Sequence, residues 1–272
     1  VHISAFEDVG YWHQAHSFVR GNWANSKKSA FMLLAKCCHD LDIISWLMDR
    51  PAINVSSYGE LTLFREENAP AGSTARCLDG CTVQKSCVFD CEDFYLYGER
   101  GLAHNQGWPV DTLTETFTEE SVRNALANGP YGRCVYRCDN DVVDHQTVNI
   151  LFDRGATASL TMSGLTCHGR RELRIMGTKG EIYGNLEENE LFIEPFGEKP
   201  RKIITNADES PFSGHGGGDE RLVLDFIHYI MGLPYNNISM TSIDTSLQSH
   251  YIAFAAEKSR LQNAGEPIHY TK

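Results

Sequence analysis

This 272-residue sequence lacks the features that announce a membrane or nucleic-acid protein. No apolar stretch approaches the roughly 18–20 residues a membrane-spanning helix needs. No run of Lys and Arg occurs, and the formal net charge is −12. That balance excludes nucleic acid and anionic membranes as partners, because neutralising phosphates takes clustered cations. There is no internal repeat and no low-complexity segment. No leader peptide is visible, and the first residue is Val1 rather than Met, so a part upstream is expected. Cysteine, by contrast, is not scarce. Nine are present, an odd number that cannot all pair. A chain this long buries a sizeable core without a disulfide framework, so we expect a reducing, cytoplasmic setting.

What is present is periodic. Val1 to Phe6 and Asn54 to Phe64 alternate as strands do. Thr147–Phe152 and Ala156–Ser163 flank Asp153-Arg154-Gly155, and Leu173–Met176 and Glu181–Tyr183 flank Gly177-Thr178-Lys179-Gly180. Leu191–Glu194 and Lys202–Thr205 continue the meander. Strands joined by such tight turns make antiparallel neighbours. Helical spacing marks Leu41–Met48, stopped at Asp49-Arg50-Pro51, and a short helix over Thr118–Ala127, stopped at Gly129-Pro130. Two more close the chain. One opens at Asp219 with the stripe Leu222, Val223, Phe226, Ile227 and Ile230. The other opens on the capping-box-like Thr241-Ser242-Ile243-Asp244 and runs to about Asn263. The expected fold is α/β of the α+β type: an open, mostly antiparallel sheet with helices packed on one face. Residues 64–130 interrupt it as a cysteine-containing insertion, and a connection of that length is expected to be functional or a lid.

The most informative segment is Ala35-Lys36-Cys37-Cys38-His39-Asp40-Leu41-Asp42. It places an imidazole at the head of a buried helix, beside a lysine and two carboxylates. Histidine moves protons near neutral pH. It also serves as a core residue satisfied by a neighbour such as Asp42, and spacing alone leaves both readings open.

Cys38-His39-Asp40-Leu41-Asp42 followed by Ser45-Trp46-Leu47 resembles the His-Asp-x-Asp-(x)3-Trp-Leu helix of the glucose–fructose oxidoreductase/inositol dehydrogenase (Gfo/Idh/MocA) family. His16-Ser17-Phe18-Val19-Arg20-Gly21-Asn22-Trp23 resembles the segment before that helix. His215-Gly216-Gly217-Gly218-Asp219, Asp225-Phe226-Ile227, Ser249-His250 and Ala256-Glu257-Lys258-Ser259-Arg260 resemble the family's closing helices. The resemblance implies the substrate-binding and oligomerisation domain of an oxidoreductase that moves hydride between a sugar or polyol carbon and NAD or NADP. The dinucleotide-binding domain would lie outside this chain, and the fragment alone would be inactive. It implies His39 as acid/base, with Lys36 binding a substrate hydroxyl or sharing the proton, and an open sheet face that pairs in a homodimer or homotetramer. His16, Arg20, Trp23 and His215 become candidate sugar contacts, each with an ordinary structural role as its alternative. Many family members carry an aspartate four residues before this histidine. Ala35 stands there, which leaves room for a non-catalytic sugar-binding sensor or scaffold.

Other motifs carry less. Gly214-His215-Gly216-Gly217-Gly218 follows no strand of the right kind for a dinucleotide fingerprint. Glu198-Lys199-Pro200 matches a family tripeptide in the wrong place. His13-x2-His16 lacks a third metal ligand, and a metal-dependent hydrolase therefore lacks a ligand set. Glu257 and Arg260 read as a structural pair. Cys77-x3-Cys81-x5-Cys87-x3-Cys91 gathers four thiols that a structural zinc would suit, with redox-active and unbridged thiols as alternatives.

Overall fold

The computed structural model describes residues 1–185, 187–204, 218–235 and 242–270. Alternation builds its sheet. Along β1 (His2–Asp8), Ile3, Ala5 and Glu7 are buried on one face, while Phe6 lies open on the other. The remaining strands are β2 (Ala52–Glu60), β3 (His145–Phe152), β4 (Thr157–Ser163), β5 (Arg170–Met176), β6 (Gly180–Asn185), β7 (Glu190–Pro195), β8 (Arg201–Ile204) and the two-residue β9 (Glu266–Pro267). They form one sheet in the order β8-β7-β6-β5-β1-β4-β3-β2-β9. Every pairing is antiparallel except β1 with β4. β1 thus sits at the centre, its Glu7 opposite Arg171 of β5.

The helices are α1 (Tyr11–His13), which runs on as a π-helical turn over Gln14–Arg20, then α2 (Met32–Ala35), α3 (Cys38–Met48), α4 (Glu119–Asn128), α5 (Gly218–Met231) and α6 (Ile243–Gln262). Leu41, Ile44 and Met48 of α3 and Ile252, Ala253 and Ala256 of α6 pack with the covered face of the sheet in one core. Each large apolar side chain buried this way contributes about 1.5–3 kcal/mol. Asp49, in the left-handed region at φ 48°, ends α3 by donating its N–H to Ser45 O. No helix among the described residues is long and apolar enough to cross a membrane.

Three expectations shift. β2 stops at Glu60 rather than Phe64, because the Asp144 carboxylate accepts from the N–H groups of Thr62 and Leu63 at 2.8 and 2.7 Å. Phe64 then turns into a satellite core with Val19, Phe89 and Val135. The cap of α6 is Ser242, whose hydroxyl accepts from Thr245 N at 3.3 Å, one residue later than the capping-box reading placed it. The apolar stripe of α5 does form, but its five residues are 43–66% exposed.

The insertion is pinned rather than loose. It has a core of its own, including Tyr95, Leu96, Val110, Val122, Leu126 and Tyr131. Arg76 ties it internally by donating to Leu126 O at 2.7 Å and to Gly129 O.

Candidate functional site

The period of β1 forces Glu7 inward at the strand's C-terminal end, and three elements bring charges to meet it. Lys36 follows α2, Asp40 lies in the first turn of α3, and Arg171 comes from β5. Lys36 Nζ is 2.9 Å from Glu7 Oε1, and Arg171 Nε is 2.8 Å from Glu7 Oε2 and 3.0 Å from Asp40 Oδ1. Glu7 is only 2% exposed. Burial, then repulsion from Asp40, pushes its carboxyl up to about 7, against the pull of Lys36 and Arg171. Asp40 Oδ2 and the Trp12 indole N–H are buried here with no hydrogen-bond partner. Such groups are costly in a site meant only to be stable.

An aromatic wall adjoins the charges. His13 stacks on Trp12, ring centroids 5.6 Å apart, and meets Trp108 edge-on at 5.1 Å. The Arg100 guanidinium lies 4.1 Å over the Trp12 ring. Burial, then repulsion from Lys36 and Arg171, holds His13 down at about 4, so its imidazole is neutral at pH 7. Chemically, the place combines a carboxyl able to change protonation near neutrality, two cations and flat apolar rings. Together these groups offer hydrogen-bond donors, an acceptor and apolar ring faces.

His39 is exposed in the first turn of α3, its Nδ1 3.7 Å from Cys38 Sγ. Burial raises the Asp42 carboxyl, while His39 and His250 pull it down. Trp23 is 46% exposed. His215 lies outside the described residues.

His16 and Arg20 have interior duties that spacing did not reveal. His16 Nδ1 is 2.8 Å from Tyr95 Oη, and its ring stacks on Tyr131 at 4.8 Å. Burial, then His13 and Arg20, drives its pKa to about 3. Arg20 donates from Nε to Arg133 O and from Nη2 to Phe89 O, each at 2.8 Å. Both residues fasten the insertion to the sheet's first helical turn.

The thiols are regrouped as well. Ligand atoms of Cys77, Asp90 and Cys91 lie within 4.8 Å of one another. Cys81 and Cys87 instead line a cavity of about 20 Å³ beside them, together with Cys77, Asp90 and Cys134. All nine cysteines are free.

Glu7, Arg171, Trp12 and Trp108 were not singled out from the sequence, and His13 was set aside as half of a metal pair. A signal existed for Glu7: an acid on the apolar phase of an alternating strand.

The family model for the oxidoreductase family C-terminal alpha/beta domain matches residues 3–264. No curated protein sequence matches the chain significantly. Among solved structures, an oxidoreductase domain protein from Kribbella flavida superposes with TM-score 0.60 at 14% identity, covering 99% of this chain and 59% of that one. Levoglucosan dehydrogenase in complex with NADH and levoglucosan gives 0.60 at 14%, covering 98% and 58%. An NAD binding oxidoreductase from Klebsiella pneumoniae gives 0.61 at 13%, covering 100% and 59%. At these identities the likeness is one of fold, and the chain spans under three fifths of each protein.

Proposed function

This chain belongs to the Gfo/Idh/MocA oxidoreductase family, whose C-terminal α/β domain it carries, and from that premise we propose that it is the substrate half of a nicotinamide-dependent sugar or polyol dehydrogenase. The observation that carries the reading is the Glu7–Lys36–Asp40–Arg171 network, set beside the aromatic wall, with its Asp40 next in sequence to the exposed His39. Levoglucosan dehydrogenase, among the solved structures with this fold, binds NADH with levoglucosan or with L-sorbose. Those ligands suggest the substrate class.

A nicotinamide supplies the hydride acceptor for an alcohol leaving as a ketone. The described residues contain no strand–glycine turn–helix unit to cradle its pyrophosphate, so a dinucleotide-binding module supplies that part. This domain's residues handle the substrate and its proton. Arg171 and Lys36 orient hydroxyls, Trp12 and Trp108 offer ring faces, and Trp23 and His215 remain candidates for the same ligand. The imidazole of His39 takes the hydroxyl proton as the carbonyl forms. Lys36, held 2.9 Å from Glu7 Oε1, presents its ammonium to a substrate hydroxyl.

The test is a panel of sugars and polyols with NAD and with NADP, on enzyme joined to its dinucleotide-binding module. Nicotinamide reduction with one class is expected, with His39→Asn lowering kcat by about 10²–10⁴-fold. An unchanged kcat in His39→Asn refutes the proton role.

Ala35, where many relatives hold a carboxylate, favours a second reading as a sugar sensor without turnover. Binding of a polyol with no reduction of either coenzyme would select it.

The open sheet face carries Phe6, Tyr58 and Leu151 in exposed positions and a trough of about 910 Å³ crossing β1, β5, β6 and β7. We assign this face to self-association in a homodimer or homotetramer.

A further inference from the structure

We infer that the insertion holds one soft divalent cation of the zinc class, ligated by Cys77, Asp90 and Cys91 with a fourth thiolate from Cys87 or Cys134. This cluster lies beside Arg20, away from the His39 surface and its hydride chemistry.

The Sγ atoms of Cys77 and Cys91 and a carboxylate oxygen of Asp90 already lie mutually within 4.8 Å. Zinc–sulfur bonds of about 2.3 Å place ligand atoms nearly this close around a common ion, so small side-chain rotations close the set. Cys77 and Cys91 are both buried, and Asp90 is half-buried with its Oδ1 occupied by Gln84 Nε2 at 2.9 Å and Glu92 N at 3.0 Å. Those two donors orient the carboxylate, as outer-shell partners of a metal ligand do. The adjoining cavity of about 20 Å³ has room for one water-sized occupant, and Cys87 and Cys134 both line it.

Arg20 is 2% exposed, and no carboxylate pairs with it among the described residues. Its Nη2 lies 3.7 Å from Cys77 Sγ. A buried cation without an anion is strongly destabilising. Three thiolates and a carboxylate around a divalent ion carry a net charge of about −2, which a guanidinium at Cys77 offsets. Thiolate-rich ligation selects zinc-like ions over magnesium or calcium.

Between β2 and β3 the chain makes only short helical turns apart from α4, and with Cys134 as the fourth ligand an ion would tie residues 77–91 to it across more than forty positions. Metal binding then becomes folding free energy for the insertion.

The experiment is elemental analysis of the full chain purified under reducing conditions without chelator, followed by cobalt(II) titration of the stripped protein. About one zinc-class ion per chain and an absorption spectrum of tetrahedral thiolate–cobalt are expected. Cys91→Ser and Asp90→Asn should weaken affinity by more than the roughly 10–100-fold that outer-shell changes cause. The exposed and remote Cys167→Ser should leave it unchanged. Cys87→Ser and Cys134→Ser identify the fourth ligand by which one weakens cobalt binding. If a variant misfolds, the cobalt spectrum of the unsubstituted chain still decides. A metal-free protein with no thiolate–cobalt bands, or with Cys77 and Cys91 recovered as a disulfide, overturns the inference.

Discussion

Replacing Glu7 by Gln separates the charge network's effect on folding from its packing. The native carboxyl titrates at about 7 rather than at its ordinary value of 4.5. A tenfold change in proton affinity corresponds to about 1.4 kcal/mol, so the raised value amounts to about 3 kcal/mol of differential stability. Below pH 4.5 folded and unfolded chains both hold the proton, and the native state bears no ionisation cost at this site. As pH rises towards 7 the unfolded chain releases it first, so stability contributed by this group is lost across that window. Glutamine keeps the shape and never ionises. Lys36 and Arg171 lose an anionic partner in the variant, but their attraction is already included in the net upward displacement of the carboxyl. Urea unfolding of both proteins, followed by tryptophan fluorescence at pH 5 and pH 8, is the assay. Glu7→Gln should gain about 2.5 kcal/mol relative to wild type between those two pH values, since part of the shift has already acted at pH 5. The buried neutral His13 and His16 are common to both proteins and cancel. A difference that does not change with pH refutes the placement of Glu7 among Asp40, Lys36 and Arg171.

Arg20→Met leaves the carbonyls of Phe89 and Arg133 without their buried donor. The expected loss is about 2–4 kcal/mol, with protease cleavage concentrated in residues 64–140, and cleavage elsewhere first would contradict the fastening role. Tyr58→Glu together with Leu151→Glu places charge on the open face of the sheet and should convert an oligomer to a monomer by light scattering. Unchanged mass in that variant removes the sheet face as the interface.

The strands and helices were largely legible because their signals are local. The turns Asp153-Arg154-Gly155 and Gly177-Thr178-Lys179-Gly180 set the β3–β4 and β5–β6 hairpins, and the spacing of Leu41, Ile44 and Met48 set the buried side of α3. Where a distant group competes for backbone donors, local reading failed. Asp144 captures the N–H groups of Thr62 and Leu63 and ends β2 early, although their side chains alternate as a strand's would. The histidine helix was recognisable from its own residues, but the partners of Lys36 were not. Glu7 and Arg171 meet only because β1 pairs with β5 in one register.

The same division holds for the thiols and for Arg20. Spacing within residues 77–91 marked a cysteine cluster, but grouping Cys77 with Cys91 and Asp90, and bringing Cys134 to the same cavity, required the insertion to fold back on itself. By itself the sequence determined the elements, their faces and the family, since periodicity and a contiguous motif are written in neighbouring residues. Only tertiary structure decided which charges are buried together, and hence which carboxyl titrates near neutrality. Desolvation and Coulomb energy depend on distance through space, which the order of residues does not state.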